Sequence, residues 1–257
     1  QEMYRIVSEF VFPFIKELGD GSAFSKTMES ATFGFPAGKP SLLERAVDGI
    51  EELLSEHDEH IGDLGDLYEY MLSKLSNAGH NGQFRTPPQI RNMMVAMVDP
   101  KPGELICDPA CGTAGFLISA AEHIRHDYEA NMTSQQWDCF AGAKGTDPQF
   151  SGFEMDQTML RISTMNLMLH GVDAPDVRYM DSISKSNTVR DRYDVILANP
   201  PFTGSVDVED IDKSLRGIVD SKQTELLFVA LFLRMLKMGG RCACIVPNLS
   251  LIHISEP

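Results

Sequence analysis

The sequence is poor in positive charge. It has 22 lysines and arginines against 37 aspartates and glutamates, which gives its 257 residues a net charge of −15. A protein that binds a nucleic acid unaided needs a basic surface to neutralise the phosphates. The composition therefore indicates either a different substrate or a partner polypeptide that supplies most of the affinity for nucleic acid.

Long hydrophobic runs are absent as well. The longest, from Leu226 to Leu233, is well short of the roughly 20 residues that cross a bilayer, and no positively charged leader precedes an apolar segment at the amino end. Hydrophobic residues nevertheless make up 43% of the chain, enough for a large core. We therefore expect a soluble protein of two domains with no membrane contact.

Cysteines and histidines show no metal-binding pattern. The five cysteines are odd in number and lack metal spacing, which is typical of reduced, mostly buried thiols in a cytosolic protein. The pairs His57 with His60, and His123 with His126, lie three residues apart on helical patterns without a third ligand at a suitable spacing. The prediction is that the protein has no metal site.

One segment carries a chemically specific pattern. The sequence DVILANPPF from Asp194 to Phe202 is a strand-like apolar run that ends in Asn199, two prolines and an aromatic ring. Pro200 has no N–H, Pro201 fixes the backbone angle, and Phe202 offers a stacking face. The Asn199 amide oxygen and the Pro200 carbonyl could together accept both hydrogens of a flat NH2 group, as in adenine, cytosine or glutamine. By itself, Asn-Pro is equally typical of an ordinary turn.

A second pattern indicates a ligand-binding turn. A buried strand over 103–108 is followed by Gly112-x-x-Gly115 and an apolar helix from Phe116. Strand, glycine-rich turn and helix form a nucleotide-binding unit, although the spacing differs from that of dinucleotide-binding proteins. Asp108 at the strand end would repel a pyrophosphate and suit a cation, such as the sulfonium and ammonium groups of S-adenosylmethionine.

Two further strands end in acidic residues. The strand predicted at 149–154 ends in Glu154, and the one at 176–180 is followed by Asp181 and Ser182. A carboxylate at such a position can accept hydrogen bonds from both hydroxyls of a ribose. One acid at a strand end is usually only a helix cap, but three in succession favour a binding edge.

Four segments together resemble the methylation (M) subunit of type I restriction-modification systems, an adenine-specific DNA methyltransferase. They are GQFRTP at 82–87, DPACGTAGFL at 108–117, GFEMD at 152–156 and NPPF at 199–202, and the resemblance extends from the first helices to about Pro247. This sequence departs from the family pattern at Ala114, which is usually glycine, and at Arg85, which is usually aromatic.

The resemblance implies methyl transfer from S-adenosyl-L-methionine to the 6-amino group of adenine in DNA. It assigns catalysis to Asn199, Pro200, Pro201 and Phe202. Other residues are implied to bind the cofactor: Asp108 and the turn Gly112 to Gly115 its methionine part, Glu154 its ribose, and Asp181 with Ser182 its adenine edge. The remaining cofactor-binding positions are Phe84, Thr86, Pro109, Thr113, Met155 and Asn199.

The implied fold is α/β: a Rossmann-like class I S-adenosylmethionine-dependent methyltransferase with a doubly wound, mainly parallel sheet, preceded by an all-helical N-terminal domain. We place the domains at 1–80 and 81–257, with Thr86 as the N-cap of the first catalytic-domain helix. Strands are predicted at about 104–108, 149–154, 176–180, 193–198 and 241–246, with helices at about 113–126, 157–170 and 223–237. The resembled fold needs two more strands, so we expect an incomplete sheet and a truncated catalytic domain. Segments 130–147 and 203–222 are predicted to be mobile.

The resemblance also implies partners. They are double-stranded DNA bound through a specificity (S) subunit, a second M subunit and a restriction (R) subunit, in a bacterial or archaeal cytoplasm. A separate DNA-reading subunit would explain the acidic charge. Two alternatives stay open: a methyltransferase acting on protein glutamine, which uses a similar Asn-Pro-Pro-aromatic sequence, and a non-catalytic assembly subunit that retains the fold.

Overall fold

The structure, a computed structural model, describes residues 2–18, 23–34, 40–56, 63–77, 85–202, 209–219 and 221–247. Its amino-terminal part is helical, as predicted, with no strand among the described residues before 85. The helices are α1 (Glu2–Ile6), which continues as a π-helical turn (Val7–Val11), α2 (Phe12–Glu17), α3 (Ala23–Met28), α4 (Pro40–Glu56) and α5 (Asp63–Asn77). The predicted domain boundary at 80 lies outside the described residues and stays a prediction.

A parallel sheet forms the centre of the remaining chain. Its strands are β1 (Ile106–Asp108), β2 (Phe150–Glu154), β3 (Asp176–Tyr179), β4 (Tyr193–Ala198) and β5 (Leu236–Cys244). Their order is β3-β2-β1-β4-β5, and every pairing is parallel. The winding direction reverses between β1 and β4, and in such sheets ligands bind beside the carboxyl ends of the two strands at the reversal. The predicted doubly wound sheet is confirmed, and it remains open over the described residues.

Helices cover both faces of this sheet. They are α6 (Pro88–Val98), α7 (Gly115–Tyr128), α8 (Ser134–Ala141), α9 (Gln157–Leu169), α10 (Lys213–Arg216) and α11 (Thr224–Met235). Because successive strand residues point to opposite faces, Ile106 packs in the core beneath α7 while its neighbour Cys107 packs in the core beneath α11. Among the described residues, no helix combines the length and hydrophobicity that a membrane span requires.

The predicted start of α6 is wrong by one residue. Pro87 is the N-cap, with φ −55° and ψ 141°, and the helix begins at Pro88. A residue that precedes proline avoids the helical conformation, so Pro88 forces Pro87 to remain extended. Thr86 is thereby placed before the helix, where its hydroxyl is available for another contact.

The segment 130–147 is not the mobile insertion that was predicted. It contains α8, which begins with a capping box between Thr133 and Gln136. Trp137 packs edge-on against Phe140 with ring centroids 5.5 Å apart, and Phe140 packs at 5.1 Å against Phe150 of β2. The aromatic contacts make this segment part of the core.

The structure describes only part of the second segment that was predicted to be mobile, 203–222, because residues 203–208 and 220 lie outside the described residues. Of the remainder, Ile211 and Leu215 are buried in the core beneath α11. The following helix ends at Met235, two residues earlier than predicted. The chain turns extended at Leu236, where the Lys237 ammonium binds the Asp194 carboxylate at 2.8 Å and so aligns β5 with β4.

Candidate active site

A solvent-open cleft of about 430 Å³ lies at the reversal between β1 and β4. The sheet brings together here residues from positions far apart in the chain, because parallel strands end at one edge. Six residues predicted from the sequence line this cleft: Thr86, Asp108, Gly112, Thr113, Gly115 and Asn199.

Asp108 ends β1 with only 1% of its surface exposed. Its Oδ1 accepts a hydrogen bond from the Ala110 N–H at 3.0 Å, and among the described residues no lysine, arginine or histidine pairs with it. Burial, reinforced by the nearby charge of Glu154, raises the pKa of Asp108 to about 7. A buried carboxylate in this state favours any cation that enters the cleft.

The turn after β1 has a conformation that explains its composition. Ala114, the N-cap of α7, has φ +64°, a left-handed backbone that costs a non-glycine residue about 1–2 kcal/mol. Gly115 leaves room for a neighbouring side chain, because a Cβ at this position would lie 1.9 Å from Nη1 of Arg91. A side chain at position 115 would therefore displace the Arg91 guanidinium.

Glu154 holds the same turn from β2. Its Oε2 accepts the Gly112 N–H at 3.0 Å, and its Oε1 accepts the N–H groups of Met155 and Asp156 at 2.8 Å each. Burial raises the pKa of this carboxyl above its usual value, although these three hydrogen bonds act in the opposite direction. Glu154 thus joins the carboxyl ends of β1 and β2, beside the cleft.

Asn199 follows β4 and faces the cleft from the opposite side. Its Nδ2 donates to the Thr86 hydroxyl at 3.0 Å, which fixes the orientation of the amide. Its Oδ1 is buried and accepts no hydrogen bond from any residue that the structure describes. Pro200 is buried, whereas Phe202 keeps 39% of its surface exposed. The segment therefore presents one unused acceptor next to one exposed aromatic face.

Other predicted residues are not among those that line the cleft. Ser182 is buried and its hydroxyl donates to the Pro109 carbonyl, so it connects the loops after β1 and β3. Asp181 Oδ1 accepts the Ile183 N–H at 3.2 Å, and Met155 is 59% exposed. Phe84 lies outside the described residues. The roles predicted for these positions in cofactor binding stay predictions.

Sequence reasoning missed a charged cluster behind the glycine turn. Glu69 of α5 binds the Arg85 guanidinium through both carboxylate oxygens at 2.6 Å, and Arg91 at 3.3 Å. Asn166 of α9 donates to Glu69 at 2.7 Å and to the Thr113 carbonyl at 2.9 Å. The unusual arginine at position 85 was the signal in the sequence, but its partner Glu69 is 16 residues away, on α5.

Comparison with known proteins agrees with this geometry. A family model described as N-6 DNA Methylase matches residues 59–255. The chain belongs to the N-6 DNA methylase family. Within that family, it is 34% identical over 216 residues to the type I restriction enzyme EcoEI methylase subunit of Escherichia coli, an alignment that covers 81% of this chain and 41% of the relative. Identity to the EcoKI methylase subunit of E. coli K12 is 28% over 212 residues, covering 79% and 38%.

Solved structures of related proteins are also similar to this N-6 DNA methylase family member. A modification subunit of a putative type I restriction enzyme from Vibrio vulnificus superposes with a TM-score of 0.70 at 28% identity, covering 94% of this chain and 51% of that one. A structure described for complex assembly of the type I restriction-modification system gives 0.73 at 27% identity, with 97% and 50% covered. The resemblance inferred from the motifs is confirmed, and the chain spans about two fifths of the length of the curated relatives it matches.

Proposed function

We propose that this chain is the catalytic part of the modification subunit of a type I restriction-modification system and methylates the 6-amino group of adenine in DNA. The observation that carries the proposal is the buried Oδ1 of Asn199 at the end of β4, which has no hydrogen-bond partner among the residues described. Leaving a buried acceptor unsatisfied costs about 1–3 kcal/mol, which a bound amine would recover. The family match favours DNA over protein glutamine as the substrate.

The residues around the cleft fit S-adenosylmethionine. Bound there, this cofactor would supply an activated methyl group on a positively charged sulfur. Asp108 offers a buried carboxylate without a cationic partner, which suits the ammonium group. The glycine turn allows close approach of the backbone, and Glu154 would accept hydrogen bonds from ribose hydroxyls. Asp181 and Ser182 are assigned to the adenine edge.

The target adenine would be flipped out of the duplex and stacked on the exposed ring of Phe202. The Asn199 Oδ1 and the Pro200 carbonyl then accept the two hydrogens of the amine. These bonds draw the nitrogen towards tetrahedral geometry and free its lone pair, which is otherwise delocalised into the base. The same two bonds hold the amine in line with the methyl group, so that the reaction gains mainly from orientation.

Partner subunits complete the proposed function. The net charge of −15 leaves little basic surface for phosphates. We assign sequence reading to a specificity subunit, and we place a second M subunit and a restriction subunit in the complete assembly. A cytoplasmic location in a bacterium or archaeon belongs to the same proposal.

The test is an Asn199→Ala variant assayed with the specificity subunit. We expect methyl transfer to fall by about 100-fold or more, comparable to the loss of one positioned donor or acceptor in an active site. The dissociation constant for S-adenosylmethionine should change by less than about threefold, because we assign the lost acceptor, the Asn199 Oδ1, to the target amine and not to the cofactor. Transfer of labelled methyl groups to DNA and calorimetry with the cofactor measure the two quantities.

Thr86→Val tests the orientation of Asn199 separately, since valine keeps the shape of the side chain but lacks the hydroxyl that binds the Asn199 amide. Loss of one such hydrogen bond predicts a decrease in transfer of about 5- to 20-fold. An equal loss of transfer and cofactor binding in Asn199→Ala would make that residue structural.

Two other outcomes would support the alternative functions. Methyl label found in protein but never in DNA would support the glutamine methyltransferase. Absence of cofactor binding by the unmodified protein would support the non-catalytic assembly subunit.

A further inference from the structure

A second polar cluster lies outside the cleft, where α5, α7 and α9 meet. It consists of Asp66 on α5, Glu122 on α7 and His170 at the carboxyl end of α9. One ligand atom from each residue lies within 4.8 Å of the other two, and Nε2 of His170 is 3.9 Å from Oε1 of Glu122. Neither carboxylate pairs with a lysine or arginine within the described part of the chain.

The imidazole is the informative member. Only 9% of the His170 side chain is exposed, and its Nε2 has no hydrogen-bond partner in the described ranges of the chain. Its Nδ1 lies 2.7 Å from the Asn166 carbonyl oxygen, which can only accept, so Nδ1 must carry a proton. In the neutral ring, the lone pair is therefore on Nε2. A histidine that donates from one nitrogen to a backbone carbonyl is the usual arrangement behind a metal ligand.

The backbone is also shaped around this ring. A Cβ on Gly65 would lie 2.8 Å from Nε2, so only glycine lets α5 approach the imidazole this closely. The approach brings Asp66, the next residue, beside the same nitrogen. Two carboxylates and one neutral imidazole carry a charge of −2, which a divalent cation would neutralise. Metal bonds of about 2.0–2.2 Å need the exposed carboxylates to move inward by about 1 Å, within the reach of their flexible side chains.

We propose that Asp66, Glu122 and His170 bind one divalent transition-metal ion, Mn²⁺ or Zn²⁺, which fastens α5 to α7 and α9. The donor set of one imidazole and two carboxylates suits these ions, whereas Mg²⁺ prefers oxygen ligands alone. The role is structural and independent of the methyl-transfer proposal. The sequence did not reveal the site, because its ligands are separated by 56 and 48 positions, whereas the prediction of no metal site considered only the spacing of cysteines and of neighbouring histidines.

Binding of Mn²⁺ tests the proposal, because this ion avoids the thiols of the five cysteines. The protein is stripped with a chelator, dialysed and titrated while free Mn²⁺ is followed by electron paramagnetic resonance. We expect one saturable site per chain. Asp66→Asn, Glu122→Gln and His170→Gln should each weaken it at least tenfold, and Glu129→Gln, an exposed carboxylate on a neighbouring turn, should leave it unchanged.

Competition and stability provide the second readout. Zn²⁺ should displace Mn²⁺ far better than Mg²⁺ does, and Mn²⁺ should raise the melting temperature of the unmodified protein but not of Asp66→Asn. The two exposed carboxylate variants decide the matter if the nearly buried His170 variant does not fold. No saturable site, wild-type affinity in both carboxylate variants, or equal competition by Mg²⁺ would overturn the proposal. None of these measurements depends on methyl transfer.

Discussion

Two residues of the cleft are held in states that cost free energy in the ligand-free protein. Asp108 is a buried carboxyl whose pKa is raised to about 7, and Asn199 keeps a buried oxygen without a partner. Both were identified from the sequence, since an acid after a buried strand and an asparagine before two prolines are local patterns. The Thr86 contact that orients Asn199 could not be predicted, because 113 residues separate the pair.

The raised pKa of Asp108 predicts how cofactor affinity depends on pH. A bound cation favours the ionised carboxylate, so at pH 6 binding must first displace a proton, whereas at pH 8 the group is already ionised. With a pKa of about 7, the affinity for S-adenosylmethionine should rise by about tenfold between these values.

Calorimetry of the unmodified protein and of Asp108→Asn at pH 6, 7 and 8 measures this effect. The ligand's own titration is common to both proteins, so the ratio of their affinities isolates Asp108. We expect the affinity of the unmodified protein divided by that of Asp108→Asn to increase with pH. The variant should bind the cofactor more weakly at all three pH values. A ratio that does not change with pH would show that Asp108 is ionised before the cofactor binds.

At the scale of elements, Glu69 connects the helical region to the cofactor turn. It lies on α5 and contacts Arg85, Arg91 and Asn166, the last of which also binds the Thr113 carbonyl. Sequence patterns predicted that the region before residue 80 is helical, as the structure shows for its described residues. They carried no information about its packing, because this depends on a polar residue whose partners belong to separate parts of the chain.

We expect Glu69→Gln to lower the free energy of unfolding by about 2–4 kcal/mol at pH 7. Removing one partner of a buried ion pair costs about 3–5 kcal/mol, and the partial exposure of Glu69 reduces this. Burial acts to raise the pKa of Glu69, but the Asn166 hydrogen bond and the two arginines outweigh it, so its pKa lies below 4.5. Its stabilisation is therefore present above pH 4.5 and is lost as the pH falls through the lowered pKa.

Urea denaturation at pH 7 and at pH 4 checks the prediction, with Glu44→Gln on the exposed surface of α4 as the control. The difference between the unmodified protein and Glu69→Gln should be smaller at pH 4, and the control should differ little at either value. Cofactor affinity should also fall severalfold in Glu69→Gln through Asn166 and Thr113. If stability changes equally in both variants, the cluster has no special role in holding α5.

At the scale of the whole molecule, the doubly wound parallel sheet could be predicted from regularities along the chain, although its strand order was not predicted. The strands β1, β2 and β4 each lead into a polar residue and then a helix, a pattern that predicts parallel strands with one ligand-binding edge. The prediction for segment 130–147 was wrong because the segment is polar overall, and its two aromatic contacts appear only in the packed core. Net charge is a property of the same scale, and it bears on partners rather than on fold.

The acidic net charge leads us to expect weak binding of DNA by this chain alone. At −15, the chain should bind duplex DNA weakly at physiological salt, because few lysines and arginines are available to displace counterions from the phosphates. Addition of the specificity subunit should produce tight, sequence-dependent binding. Fluorescence anisotropy of a labelled duplex, titrated with this protein, with the specificity subunit and with both at two salt concentrations, separates the contributions. Tight binding by this protein alone with a steep salt dependence would mean that its basic residues form a DNA-binding groove despite the acidic total, and the partner would then supply sequence selectivity rather than affinity.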